Sequence, residues 1–173
     1  MKLIVAVDKE WGIGYKGDLL IRVKGDLQYF KQFTLGKTVI YGSNTLATFP
    51  GGKPLPKRNN ILLHPDPAYT VEGALVLHSI DEFLNYAETH SEEEFVVIGG
   101  ASVYRQLLPF CDTALVTKFD GNFPKDVYFE NLDRDPAWAL AEESETMCTD
   151  PETDTVAGLS YKFTVYKRKT SEK

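Results

Sequence analysis

Cysteine is scarce in this chain: Cys111 and Cys148 are the 2 among 173 residues. They stand far apart and outside any C-x-x-C pattern, so neither a disulfide framework nor a structural zinc site is indicated, and a reducing compartment fits. Long apolar runs are missing too. The opening MKLIVAVDKEWGIG meets Asp8 too early for the core of a signal peptide, and no later stretch reaches membrane-spanning length. A cytoplasmic protein with no membrane partner is expected. Basic residues are outnumbered, 19 Lys and Arg against 25 Asp and Glu for a net charge of -6. They do not gather with aromatics into a stripe, so nucleic acid is not an expected partner. His64, His78 and His90 lack zinc-ligand spacing, and no metal is expected. A GxSxG nucleophile elbow is absent.

What is present is an alternation of apolar runs and helical patterns. Lys2 to Val7 (KLIVAV) predicts a buried strand, and GIGYKGDL a loop after it. A helical segment begins at Asp26, where Leu27, Phe30 and Phe33 recur at a three-residue interval and give a narrow apolar face. TVIYG at 38–42 reads as a strand ended by Gly42, with NTLATF turning into a short helix. Beyond the loop GGKPLPKRNN come the apolar ILL at 61–63, ALVLH at 74–78 and the helical SIDEFLNYAE. FVVIGG at 95–100 is the clearest buried strand, ASVYRQLLP a helix stopped by Pro109, and ALVTKF at 114–119 a further strand. This alternation predicts an α/β domain around a largely parallel sheet. Residues 137–143 and 161–168 alternate polar and apolar positions and are expected as paired antiparallel edge strands. With 43% hydrophobic residues and no repeat or linker, residues 1–173 are expected to form one domain, a monomer by default.

Asp26 is the most informative acid. It shares a helix face with Phe30 and adjoins Leu27, and a carboxylate among apolar groups is costly to ionise unless compensated. Such an acid binds an aminopyrimidine-like ring through two adjacent donors. It serves equally well as an ordinary helix cap. Gly99–Gly100, inside the run Val96 to Tyr104, permits a tight turn and the close approach of a ligand, and the next helix would aim its first N–H groups at a phosphate. This run is not the full GxGxxG fingerprint, and strand-to-helix geometry alone would also account for the pair. Gly42–Ser43–Asn44–Thr45 makes a second such junction, with Ser43 or Asn44 open to a capping role. Two anion-facing helix starts in one α/β domain suit a dinucleotide diphosphate better than either does alone. Arg58 offers a fork for a ligand carboxylate, or is simply solvated. The residues by themselves reach a nucleotide-binding α/β protein.

Through nearly its whole length the chain also resembles the dihydrofolate reductase family. IVAVDKEWGIGYKGDL, GDLQYFKQFTLGKTVIYG, GGKPLPKRNNILL, FVVIGGASVYRQLLP, LVTKF and YKFTVYKR follow in family order and spacing. The resemblance implies an α/β fold with a central mixed, mainly parallel sheet flanked by helices and a carboxyl-terminal antiparallel hairpin. It implies NADPH-dependent reduction of 7,8-dihydrofolate to 5,6,7,8-tetrahydrofolate, with dihydrofolate and antifolate-like small molecules as partners. Asp26 then matches the acid that binds the amino and ring N–H groups of the pterin, and Thr117 the threonine that supports it. Leu27 and Phe30 match apolar residues of the folate pocket, and Arg58 the clamp on the α-carboxylate of the glutamate tail. Val5, Ala6, Ile98 and Tyr104 border the region where pterin and nicotinamide meet. Gly42, Ser43, Asn44 and Thr45 match the first turn around the cofactor, and Gly99, Gly100, Ala101, Ser102 and Val103 the second. Ile13 and Gly14 fall in the mobile loop over the nicotinamide, and Asp126 matches an acid that holds this lid closed.

The match has departures. Leu20–Ile21 stands where a proline–tryptophan pair is usual, so Ile21 keeps an apolar wall without an indole N–H and Leu20 lifts a φ constraint. Lys24 and Gly25 replace a proline-containing approach to the helix, which Gly25 is expected to loosen. Ser43 occupies the position of an arginine near the cofactor's 2′-phosphate, where it offers one donor and no charge. His64 replaces a small hydroxyl residue there, and His64 or His78 could compensate if the bound phosphate protonates them. Two alternatives remain open: another pterin or riboflavin-pathway reductase, and a nucleotide-responsive interaction protein without the chemistry. Turnover of dihydrofolate separates them.

Overall fold

The computed structural model describes residues 1–170. The first strand, β1 (Lys2–Val7), is followed by two short strands, β2 (Gly12–Tyr15) and β3 (Asp18–Leu19), and then by α1 (Lys24–Thr34). Next come β4 (Thr38–Gly42), the single-turn α2 (Ser43–Leu46), β5 (Asn59–Leu63), β6 (Leu75–Leu77), α3 (Ile80–Thr89), β7 (Phe95–Gly99) and α4 (Ala101–Leu107). The chain continues through β8 (Thr113–Phe119), β9 (Val127–Tyr128), β10 (Trp138–Glu143), β11 (Met147–Cys148) and β12 (Ser160–Arg168).

The main sheet runs β10-β12-β8-β1-β7-β4-β5-β6, with β11 also paired to β12. From β8 across to β6 every pairing is parallel, and β12 lies antiparallel to both β8 and β10. This is the mixed, mainly parallel sheet expected from the strand–helix alternation. Parallel strands covered on both faces must be apolar throughout, which is why KLIVAV and FVVIG read so clearly. The two-residue side-chain period then sorts each strand between two cores. Leu3, Val5, Val7, Ile40 and Val97 face one, and Ile4, Val39, Tyr41, Val96 and Ile98 the other. Ser79 caps α3 by accepting from the Glu82 N–H at 3.0 Å, while the Glu82 carboxylate accepts from the His78 N–H at 2.9 Å. That reciprocal arrangement starts the helix where SIDEF begins.

Three expectations need correction. GIGYKGDL is not simply a loop: β2 and β3 form a hairpin, and with β9 a separate three-stranded antiparallel sheet. Strand β12 is no edge, because β8 and β10 flank it. Its side chains pack on both faces, Tyr166 in one core and Val165 against the other. Helix α1 starts at Lys24, ahead of Asp26, and α4 ends at Leu107, with Pro109 inside a following 3-10 turn. At Gly25 the Tyr161 hydroxyl crowds the position a Cβ would take, so glycine is what lets the helix dock there.

Candidate active site

Asp26 lies in the first turn of α1, whose N-cap is Val23. The capping role left open for Asp26 is therefore not the one it fills. Its carboxylate instead accepts a 2.7 Å hydrogen bond from the Thr117 hydroxyl on β8. Helix α1 is held onto the sheet by Tyr29 stacked on Phe163 of β12 at 4.1 Å and by the Tyr161–Gly25 contact. Asp26 keeps a little exposure toward the open side of the cleft, yet desolvation of its carboxyl pushes the pKa up to about 6, against the smaller lowering effect of the Thr117 hydrogen bond. Such an acid ionises near neutrality and gains most from a ligand that brings paired N–H donors.

Thr117 lies beside Ala6 in the β1–β8 register. Val5 and Ile98 are buried, while Ala6 and Phe30 are partly open, and Leu27 is 40% exposed. Tyr104 donates its hydroxyl to the Ile4 carbonyl at 2.6 Å, and its ring would meet a Cβ on Gly99. Burial first and the nearby Asp26 charge second hold the Tyr104 phenol well above the usual tyrosine range. The acid and the second glycine turn therefore border one region.

The two glycine turns converge. A Cβ on Gly99 would stand 3.0 Å from the Thr45 hydroxyl, one on Gly100 3.4 Å from it, and one on Gly42 3.5 Å from Val103. Gly99 also has φ +135, a backbone conformation that side-chain-bearing residues rarely adopt. Both turns sit at the carboxyl ends of parallel strands, where α/β folds place their ligands. Ala101 is partly open, while Ser43, Asn44 and Ser102 are placed at the starts of the two helices. His64 stacks on Tyr69 at 4.0 Å, its Nδ1 accepts from the Asp66 N–H, and its carbonyl lies 2.9 Å from His78 Nδ1. The two histidines are thus neighbours at the end of β5 and β6.

Arg58 is half-buried, and its Nε has no partner. A desolvated guanidinium with an unmet N–H offers a free donor to a carboxylate. Ile13 and Gly14 lie on β2, with Asp126 beside them: its N–H donates to the Gly14 carbonyl at 3.0 Å, and its carboxylate accepts from the Lys16 N–H at 3.1 Å. Ile21 is buried under the start of α1. A cavity of about 510 Å³ opens between Gly17, Asp18 and Arg22 on one side and Ala47 to Pro50 on the other. Asp26 is not among its walls. Asp8, in the sequence only the end of an apolar run, is buried and ion-paired to Lys125 at 2.9 Å. An acid directly after an apolar strand was the one hint of it. Among the described residues no group of three or more His, Cys, Asp or Glu is placed to hold a metal, and no helix is long and apolar enough to cross a membrane.

A parallel sheet with two touching glycine turns at its carboxyl ends, and a desolvated acid bordering the same region, is the arrangement of a nucleotide-binding α/β enzyme. The family model described as dihydrofolate reductase matches residues 1–168. Dihydrofolate reductase of Bacillus subtilis (strain 168) is 33% identical over 173 residues, covering 100% of this chain and 97% of its own. That of Mycobacterium leprae (strain TN) is 34% identical over 157 residues, 90% of either chain. Among solved structures, dihydrofolate reductase from Enterococcus faecalis complexed with NADP(H) and RAB-propyl superposes with a TM-score of 0.84 at 31% identity, covering 98% of this chain and 96% of that one. The chain belongs to the dihydrofolate reductase family.

Proposed function

We propose that this chain reduces 7,8-dihydrofolate to 5,6,7,8-tetrahydrofolate with NADPH, and that Asp26 anchors the pterin. The observation that carries the reading is the Asp26 carboxyl, desolvated and bonded by Thr117, on the same border as the two convergent glycine turns. Family membership and the relative that holds NADP(H) support the reaction and the cofactor.

The residues present fit that cofactor. Gly42, Gly99 and Gly100 let the two turns approach each other closely, and Thr45 brings a hydroxyl between them. Ser43, Asn44, Ala101, Ser102 and Val103 would line the same turns, and Ala6, Ile13 and Gly14 the nicotinamide end. When bound, NADPH supplies the hydride that reduces the pterin C6–N5 bond.

Everything else falls to the chain. Ionised Asp26 accepts from the amino and ring N–H groups of the pterin, at the edge opposite N5, so the proton that N5 gains comes from water and not from Asp26. Thr117 keeps the carboxylate turned toward the ring. Val5, Leu27, Phe30, Ile98 and Tyr104 form the apolar walls, and the unmet Arg58 Nε–H donates to the glutamate α-carboxylate. The β2–β3 hairpin, held by Asp126, covers the reacting region and excludes water. Antifolate-like molecules with an aminopyrimidine edge would compete at Asp26. A monomer in the cytoplasm completes the reading. Purified protein is assayed for dihydrofolate-dependent oxidation of NADPH and of NADH. Turnover blocked by an aminopyrimidine antifolate is expected, and tight cofactor binding without turnover would reject the reading.

A further inference from the structure

The β2–β3 hairpin is gripped at two places of very different character. At its tip, Asp126 makes its contact to the Lys16 N–H in the open, where water competes for every partner. At its root, Asp8 is fully buried and accepts from the Glu10 N–H (3.0 Å) and Gly12 N–H (2.9 Å) on one oxygen. Its other oxygen accepts from the Phe123 N–H (3.2 Å) and from Lys125 Nζ (2.9 Å). Lys125 is itself all but buried, donates also to the Phe123 carbonyl at 2.9 Å, and approaches Glu10 at 3.6 Å. Its aliphatic stem occupies the space above Gly12, so no side chain could stand there. Trp11, with φ 62, completes the turn: its carbonyl accepts from Phe129, and its ring stacks on the Phe129 ring.

We propose that Lys125, acting through Asp8, is a positioning residue for hydride transfer: the buried pair is a fixed joint at the root of the hairpin, and lid motion is confined to the tip that Asp126 holds. This rests on the reading of the chain as a dihydrofolate reductase. A buried ion pair is a poor way to gain stability compared with apolar packing, but removing one partner is strongly unfavourable, so it defines one geometry and resists opening. The strand that enters the joint is β1, carrying Val5 and Ala6 to the place where the rings meet. The joint therefore fixes the angle at which the lid leaves that floor. Because Lys125 and Asp126 are adjacent, one loop sets both the root and the latch.

The test compares wild type, Lys125→Met and Lys125→Arg by backbone hydrogen exchange and by single-turnover hydride transfer from NADPH to dihydrofolate. Lys125→Gln, which keeps an N–H for Asp8 without the charge, replaces Met should that variant not fold. Exchange across residues 12–16 is expected to speed up about tenfold in the neutral variants while the amides of β1 and β8 hold, since only the local opening is altered. Hydride transfer is expected to slow about tenfold, with the KM for dihydrofolate within about twofold of wild type. Lys125→Arg should stay close to wild type in both readouts. A neutral variant with a lower Tm but unchanged exchange at 12–16 and unchanged hydride transfer would overturn the proposal. A wild-type protein that does not turn over dihydrofolate would reject the assigned reaction instead, while the exchange comparison still decides whether the joint exists.

Discussion

At the scale of the residue, burial of the Asp26 carboxyl costs stability. Its carboxyl titrates at about 6 in the folded chain and at 3.8 when solvated. Between those values the folded state holds a proton that the unfolded state has released, so stability from this group falls as pH rises and the penalty is complete above pH 6. The difference corresponds to up to about 3 kcal/mol. Asp26→Asn is therefore expected to melt higher than wild type at pH 7.5, with the gap closing toward pH 4, while kcat/KM for dihydrofolate drops about 100-fold or more. Thermal melts across pH and steady-state kinetics check both halves. A variant that melts higher and keeps full activity would strip Asp26 of its role. Ser43 poses a second residue-scale question, because it offers one neutral hydroxyl where a charged fork would grip a 2′-phosphate. One charge-assisted hydrogen bond contributes about 1.5–3 kcal/mol, so Ser43→Arg should lower the KM for NADPH about tenfold or more and leave that for NADH unchanged. Equal gains with both cofactors would place position 43 away from the phosphate.

At the scale of the element, α1 has no cap of its own. Val23 supplies none, and the Lys24 N–H is met instead by Asp154, far along the chain, at 2.8 Å. Thr155 adds to this strap, accepting from the Arg22 N–H at 3.0 Å and donating to its carbonyl at 3.1 Å. The bond from Lys24 holds the Asp154 carboxyl below its usual range. Its contribution to stability is thus full above pH 3.8 and is lost as pH falls through the lower folded value. Asp154→Ala is expected to cost about 1 kcal/mol at pH 7, as loss of a helix cap does, and almost nothing in strong acid. Denaturant melts at the two pH values read it out. No inspection of residues 22–26 reveals this cap, because the partner lies outside the window that local patterns span. The same limit explains Asp8 and Lys125, whose pairing depends on the loop after β8 folding back on the turn after β1. The strands β1, β4, β7 and β8 were legible for the opposite reason. Each is buried on both faces, so its own composition declares it. GIGYKGDL hid its hairpin because short, glycine-rich strands with one open face carry little hydrophobic pattern.

At the scale of the molecule, the proposed site is an assembly across the sheet: Ala6 from β1, Asp26 from α1, Gly42 to Thr45 after β4, Gly99 and Gly100 after β7, Thr117 from β8. The glycine turns could be found in the sequence as two separate junctions, but their meeting at Thr45 depends on β7 lying between β1 and β4. A ligand that touches several of these elements binds the folded chain and not the unfolded one, so it must stabilise the whole. At one hundred times its Kd the gain is about 2.7 kcal/mol, which for a chain of this size moves Tm by about 5–11 °C. NADPH and an aminopyrimidine antifolate should each produce such a shift in the wild-type protein. In Asp26→Asn the two are expected to part, the NADPH shift persisting and the antifolate shift shrinking to a few degrees or less. The glycine cradle is untouched by that change, whereas the acid that pairs with the ring is gone. Thermal melts with each ligand alone check this. An antifolate shift that survives in the variant, or an NADPH shift that vanishes with it, would mean that the two ligands do not divide the cleft between the acid and the glycine turns.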